Sequence, residues 1–219
     1  MNKHFFLDGY SISTDTLANV ERMHIFINNI NKTLFKSNGK VVLIPYFKGK
    51  IKEDSGVSGI VLGDNSHFTC HTFCYKNTYF LDYFGNEENH EIAKKMVLDA
   101  FPTKDIDLCN DNKDIDGKFG KHIIIRNNNE LTFHEGKKLV SNILKEIDMT
   151  PIYNVITQEK SKTEFDLLQP IAESHISIHR TGKETVIDAF SCKYFNEEKL
   201  LKILNTKKYQ KINRGIRYK

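Results

Sequence analysis

Short apolar runs, many of them alternating with polar residues, recur along this chain, and stretches with helical spacing of apolar residues fall between them. His4–Leu7 is predicted as a strand. Thr14 or Asp15 can cap a helix that carries Leu17, Val20, Met23, Ile27 and Ile30 on one face. β-Rich runs follow at Val41–Phe47, Val57–Leu62, His67–Phe73 and Thr78–Phe84, and a second helix over Glu88–Ala100 stops before Phe101-Pro102. Residues 103–120, rich in Asp, Asn and Gly, predict a polar break. Beyond it, Lys121–Arg126 is a strand assignable to either side. Leu131–His134 is strand-like, Lys137–Ile147 is a helix, and strands are expected near Tyr153–Thr157, His175–His179 and Thr185–Phe190 before a helix at Asn196–Leu204. Helices alternating with short antiparallel strands predict an α+β fold, each half a sheet with helices on one face, with the two bare faces packing together. The expected division is an N-terminal half at 1–110, a polar linker or connecting strand at 111–125, and a C-terminal half at 126–219.

The recurrence extends to individual residues. Residues 66–84 and 174–190 both fit Ser-His-x-x-x-His followed by Asp-x-Phe, with a two-residue difference in the intervening turn. Upstream, Phe6-Leu7-Asp8-Gly9 is matched with Phe133-His134-Glu135-Gly136. In a duplicated unit, one site can be built from half of each copy, and each copy can lose what the other supplies.

Composition narrows the function classes. Apolar content of 39%, 27% charged residues, 12 Gly and 4 Pro describe an ordinary globular chain rather than a disordered one. No apolar run approaches the roughly 18 residues that span a bilayer, and the N-terminus lacks a secretory pattern, so no membrane partner is expected. Four cysteines are too few for a disulfide framework in 219 residues, which points to a reducing, cytoplasmic setting. The net charge of +4 sits largely in the tail, from Lys207 to Lys219, without a basic stripe of the kind that holds nucleic acid; that tail is expected to be a solvated end.

Alternation puts His67, Thr69 and His71 on one strand face and Phe68 and Cys70 on the other. In the second copy Ser174, Ile176 and Ile178 oppose His175, Ser177 and His179. A zinc set of His67, Cys70, His71 and Cys74 is therefore split across two faces, and no metal is expected. Taken singly, Ser174, Cys192 and His71 are ordinary structural residues; their combination is what carries information.

Ala172-Glu173-Ser174-His175-Ile176-Ser177-Ile178-His179, with Asp188-Ala189-Phe190-Ser191-Cys192 beyond it, resembles the self-cleaving segment of the S-adenosylmethionine decarboxylase family. Ser55-Gly56-Val57-Ser58-Gly59-Ile60-Val61-Leu62 is similar to that family's Gly-Val-Ser-Gly strand. The resemblance implies a four-layer αββα sandwich of two pseudo-twofold-related halves, here a single-chain pseudo-dimer, monomeric or homodimeric. It also implies a zymogen of polyamine biosynthesis that cuts itself between Glu173 and Ser174, leaving a pyruvoyl cofactor derived from Ser174. That ketone forms a Schiff base with the amine of a small-molecule substrate and takes up electrons as carbon dioxide leaves. By position, Ser58 and His71 match the residues that hold the ester intermediate and take the elimination proton, and Cys192 matches the catalytic acid. The first copy has Asn65-Ser66 and Asn86 where the second has Glu173-Ser174 and Cys192, and the second has Asp166 in place of Ser58. One complete set is thus split between the copies.

The substrate contacts depart from the family. Lys52 and His134 stand where the family places adenine-stacking aromatics, and Tyr75 stands where it places a ribose-gripping Glu. Tyr75 and His134 can stack on a base in another arrangement, and Glu135 either lines the pocket or is an exposed first-turn carboxylate. S-adenosylmethionine is the first expectation for the substrate. Arginine or ornithine is the second, with Glu53 or Asp54 meeting the cationic side chain. The alternatives from other classes are an unprocessed regulatory or nucleoside-binding relative and a lyase acting on a similar ligand.

Overall fold

The computed structural model describes residues 2–47, 52–110, 121–127, 130–172, 174–193, 195–206 and 208–213. It divides into two compact units, Met1–Lys113 and Asp114–Lys219.

In the first unit, β1 (Asn2–Gly9) leads to a short helix α1 (Thr14–Leu17) and then α2 (Val20–Leu34). The single helix expected here is interrupted because Ser13 caps α1 and Asn19 starts α2, its side chain accepting from the Arg22 amide. Strands β2 (Lys40–Tyr46), β3 (Gly56–Gly63), β4 (Ser66–Phe73) and β5 (Thr78–Asn86) follow, then α3 (His90–Ala100) and β6 (Ile106–Asn110). The sheet order is β2-β3-β4-β5-β1-β6, antiparallel throughout. The second unit opens with β7 (Lys121–Asn127) and α4 (Phe133–Glu146). Then come β8 (Ile156–Ser161), β9 (Glu164–Ile171), β10 (Ser174–Arg180), β11 (Thr185–Ser191), α5 (Glu197–Ile203) and β12 (Gln210–Asn213). Its order, β12-β7-β11-β10-β9-β8, is the first unit's order with each strand replaced by its counterpart. The class is α+β, as the patterning predicted.

Each sheet buries one face against its own helices. In the first unit Phe5, Leu7, Val61, Phe68, Cys70 and Leu81 meet Met23, Phe26, Ile27 and Ile30 of α2. In the second, Ile123, Leu167, Ile176 and Ile178 meet Val140 and Ile143 of α4 and Leu200 of α5. Full burial of one such side chain contributes about 1.5–3 kcal/mol, so these stripes decide which strand face turns to the helices. The opposite faces carry the histidines and are also buried.

Several expectations need correction. The 103–120 break contains β6, which pairs with β1, and the basic tail contains β12, which pairs with β7. The strand expected near Tyr153–Thr157 is β8, shifted toward the C-terminus, and β9 was not anticipated at all. Leu131–His134 is not a strand: Thr132 caps α4, and Phe133–Gly136 is its first turn. The matching of Phe6–Gly9 with Phe133–Gly136 therefore fails, since one is strand and the other helix. The counterpart of β1 is β7. Among the described residues no helix is long and apolar enough to cross a membrane.

Candidate active site

The Gly-Val-Ser-Gly strand is shaped by contacts on both sides of its serine. A Cβ on Gly56 would lie 1.7 Å from the Thr72 carbonyl oxygen, and one on Gly59 would lie 2.7 Å from Met23 Sδ. Glycine at both positions lets β3 lie close to β4 and lets α2 settle on the sheet. Between them, Ser58 faces away from the helices and stands opposite His71 in the ladder, its Oγ 2.8 Å from His71 Nδ1. Ser58 and His71, expected to act together, are thus hydrogen-bonded within one unit. The second unit has Asp166 opposite His179 at the corresponding register, with Oδ1 2.7 Å from Nδ1.

Ser174 opens β10, which is paired on both sides, to Ile171 of β9 and to Ser191 of β11. Strand alternation predicted that Ser174 would share the helix-side face with Ile176. Instead its φ is 152°, a region that side-chain-bearing residues rarely adopt, and its Oγ lies 3.3 Å from His175 Nδ1. Such a conformation costs about 1–3 kcal/mol and persists only where the surroundings enforce it. Cys192 follows directly on the Ser191 that pairs with Ser174, and it is a buried thiol. Glu173 lies outside the described residues.

Behind Ser174 runs a chain of polar groups that sequence reasoning did not assemble. His175 Nε2 is 3.4 Å from Asp188 Oδ2, and the other carboxylate oxygen of Asp188 is hydrogen-bonded to His122 Nε2. All three side chains are fully buried, and both imidazoles lie against Phe190, with centroids 5.1 Å from it for His122 and 6.2 Å for His175. The first unit repeats the arrangement. Asp82 Oδ1 is 3.3 Å from His4 Nδ1 and Asp82 Oδ2 is 3.5 Å from His67 Nε2, with Phe84 beside both rings. The second imidazole of each triad was legible as a further echo, Lys3-His4 before Phe5-Phe6 against Lys121-His122 before Ile123-Ile124.

The residues expected to contact substrate are exposed or engaged in local structure. Tyr75 is exposed in a 3₁₀ turn after β4, with Lys52 Nζ 4.3 Å from its ring centroid. His134 and Glu135 are exposed in the first turn of α4. Glu135 closes a capping box, its carboxylate accepting from the Thr132 amide at 2.8 Å and the Thr132 hydroxyl at 2.7 Å. Those two donors hold its pKa below the usual glutamate value. Asp54 is 3.8 Å from Lys76 Nζ. Cys70 belongs to the helix-side core while His67 and His71 face the other way, as strand alternation predicted.

No curated protein matches the chain. Among solved structures, the crystal structure of the adenosylmethionine decarboxylase from Aquifex aeolicus VF5 is similar to it, with 19% identity and a TM-score of 0.42 over 54% of this chain and 94% of that one. Over residues 3–112, half of its length, the chain matches the family model described as S-adenosylmethionine decarboxylase, and it belongs to that family.

Proposed function

We propose that this chain is a self-processing decarboxylase whose pyruvoyl group arises from Ser174, with S-adenosylmethionine as its substrate. One observation carries the reading: Ser174 is a buried, conformationally strained serine at the tip of a hairpin, directly after Glu173, with its hydroxyl against an imidazole. Self-processing needs that hydroxyl to attack the preceding carbonyl while the Ser174 nitrogen leaves. Strain at Ser174 is relieved as the peptide bond breaks, which favours the reaction in that direction.

The remaining parts have candidates. His71, its Nδ1 2.8 Å from Ser58 Oγ, is the proposed base for the elimination that follows ester formation. Cys192 is the proposed acid that protonates the product carbon. The pairing of β10 to β9 and β11 would keep the new N-terminus in place after the cut, so the residues present fit a group held at Ser174. The pyruvoyl carbonyl would supply the electron sink for loss of carbon dioxide. An arginine or ornithine substrate loses support from Asp54, whose carboxylate is already beside Lys76.

Intact mass of the purified protein tests the reading. A 173-residue chain and a 46-residue chain are expected, the shorter one lighter by one ammonia than its encoded sequence. A single uncut chain after prolonged incubation would sink it. Carbon dioxide release with S-adenosylmethionine, arginine and ornithine then fixes the substrate; release from the amino acids alone would remove S-adenosylmethionine. A second reading, an unprocessed binding or regulatory relative, is favoured by the exposure of Tyr75 and His134 and by the engagement of Glu135 in its cap. The uncut chain is its signature.

A further inference from the structure

We propose that His175, Asp188 and His122 form the proton relay that activates Ser174 for the first step of self-processing, so that the base for that step belongs to the unit that is cut. The proposal rests on the self-processing reading above. The geometry is continuous within one unit: Ser174 Oγ to His175 Nδ1 at 3.3 Å, His175 Nε2 to Asp188 Oδ2 at 3.4 Å, and Asp188 Oδ1 to His122 Nε2. An aspartate that accepts the Nε2–H fixes the tautomer and leaves the Nδ1 lone pair directed at the serine hydroxyl. His122 donates to the same carboxylate and holds it in place; it is a positioning residue, as is Asp188. Burial of all four groups keeps water from competing for these hydrogen bonds.

The step balances without a co-reactant. The Oγ–H proton passes to His175 Nδ1 as the bond from Oγ to the preceding carbonyl carbon forms. The carbon–nitrogen bond then breaks, and the imidazolium returns the proton to the departing Ser174 nitrogen. An amide has become an ester with a new amine, and no proton is gained or lost.

The first unit is an internal control. It retains the triad His67–Asp82–His4, yet Ser66 donates its Oγ–H to the Asp64 carbonyl at 3.0 Å, away from the imidazole. The two-residue turn before Ser66 places the positive φ on Asn65, at 47°, whereas in the second unit it is Ser174 itself that is strained. A purely structural triad should matter equally in both units. A relay should matter for cleavage only in the second.

The experiment follows ester formation in refolded full-length precursor by hydroxylamine-induced cleavage and intact mass, across pH, for wild type, Asp188→Asn, His122→Gln, Asp82→Asn and His4→Gln. We expect Asp188→Asn to slow the step by about 10²–10⁴-fold, the range for losing a positioned base, and His122→Gln to slow it less. Asp82→Asn and His4→Gln should cleave at the wild-type rate whatever their melting temperatures. Ser174→Cys in the Asp188→Asn background should recover ester-type cleavage, because a thiol needs less help from a base. Equal slowing by Asp188→Asn and Asp82→Asn, or wild-type cleavage by Asp188→Asn, overturns the relay while leaving self-processing intact. Wild-type precursor that never cleaves overturns both.

Discussion

The two units share a strand order, a register and a buried His–Asp–His–Phe cluster, yet differ at the positions that can do chemistry. Beside His71 the first unit has Ser58; beside His179 the second has Asp166. Ser66 is spent on a turn, while Ser174 is strained against an imidazole. Asn86 caps a 3₁₀ turn where the second unit has the buried Cys192. The shared strand order and register can be read as scaffold, and the side chains set against the shared histidines mark where the units differ. That division can be tested by making the same substitution on both sides.

The largest asymmetry is expected at the serines. Ser174→Ala should give no cleavage at all, whereas Ser66→Ala should cleave like wild type, as read by denaturing gel and intact mass. Cleavage surviving in Ser174→Ala would mean that the strained serine is not the site of the cut. Next comes the thiol. Cys192→Ala should still be cut, but decarboxylation should fall by about 10²–10⁴-fold, the range for loss of a general acid. Asn86→Ala should leave turnover unchanged. Equal turnover in the two variants would remove Cys192 from the chemistry.

The imidazole partners differ by less. Asp166→Ala strips a fully buried His179 of its carboxylate and should cost about 1–3 kcal/mol, because the ring is left with a desolvated polar atom. Asp166→Ser restores the first unit's pairing and should recover part of that loss in thermal or urea melts. If the serine variant is no more stable than the alanine variant, the hydrogen bond to His179 contributes nothing measurable.

Much of this architecture was legible in the sequence, for a physical reason. β3, β4, β5, β10 and β11 have one face against helices, so their core positions recur every second residue, and in β4 and β10 the histidines declare the other face. The strands that went unread lacked that contrast. β6 and β12 are edge strands with Asp, Asn, Lys and Gln among their residues, and β9 mixes Glu164, Asp166, Gln169 and Pro170 with its apolar residues. The start of α4 is hidden by the likeness of Phe133–Gly136 to Phe6–Gly9, where the glycine closes a strand. Gly136 is instead a packing residue, since a Cβ there would sit 2.8 Å from the Phe165 ring. The Thr132-x-x-Glu135 spacing is the local signal that marks this helix start. Short motifs single out Ser58, His71, Ser174 and Cys192, and within the first unit Ser58 and His71 are hydrogen-bonded. The His–Asp–His clusters were not assembled, because each joins three strands and no local spacing records it.

The smallest contrast lies in how the two long helices begin. α2 is capped by Asn19 with Arg22 at the position where α4 has Glu135, so only α4 has a reciprocal carboxylate. Either Asn19→Ala or Thr132→Ala should cost about 0.5–2 kcal/mol at neutral pH. Their pH dependences should differ. The donors from Thr132 depress the pKa of Glu135, so its contribution is present above the ordinary glutamate pKa of about 4.3 and is lost as pH falls through the lower folded value. Thr132→Ala keeps the backbone donor but removes the hydroxyl, which shrinks the depression and hence the share of stability that acid can take away. The difference in melting temperature between wild type and Thr132→Ala should therefore hold steady from about pH 8 to pH 5 and narrow below about pH 4. For Asn19→Ala it should stay level over the same range, because no titrating group takes part in that cap. A Thr132→Ala difference that stayed level into acid would mean that the hydroxyl acts only through the Glu135 backbone, and that the capping box of the second unit is no more than the simple cap of the first.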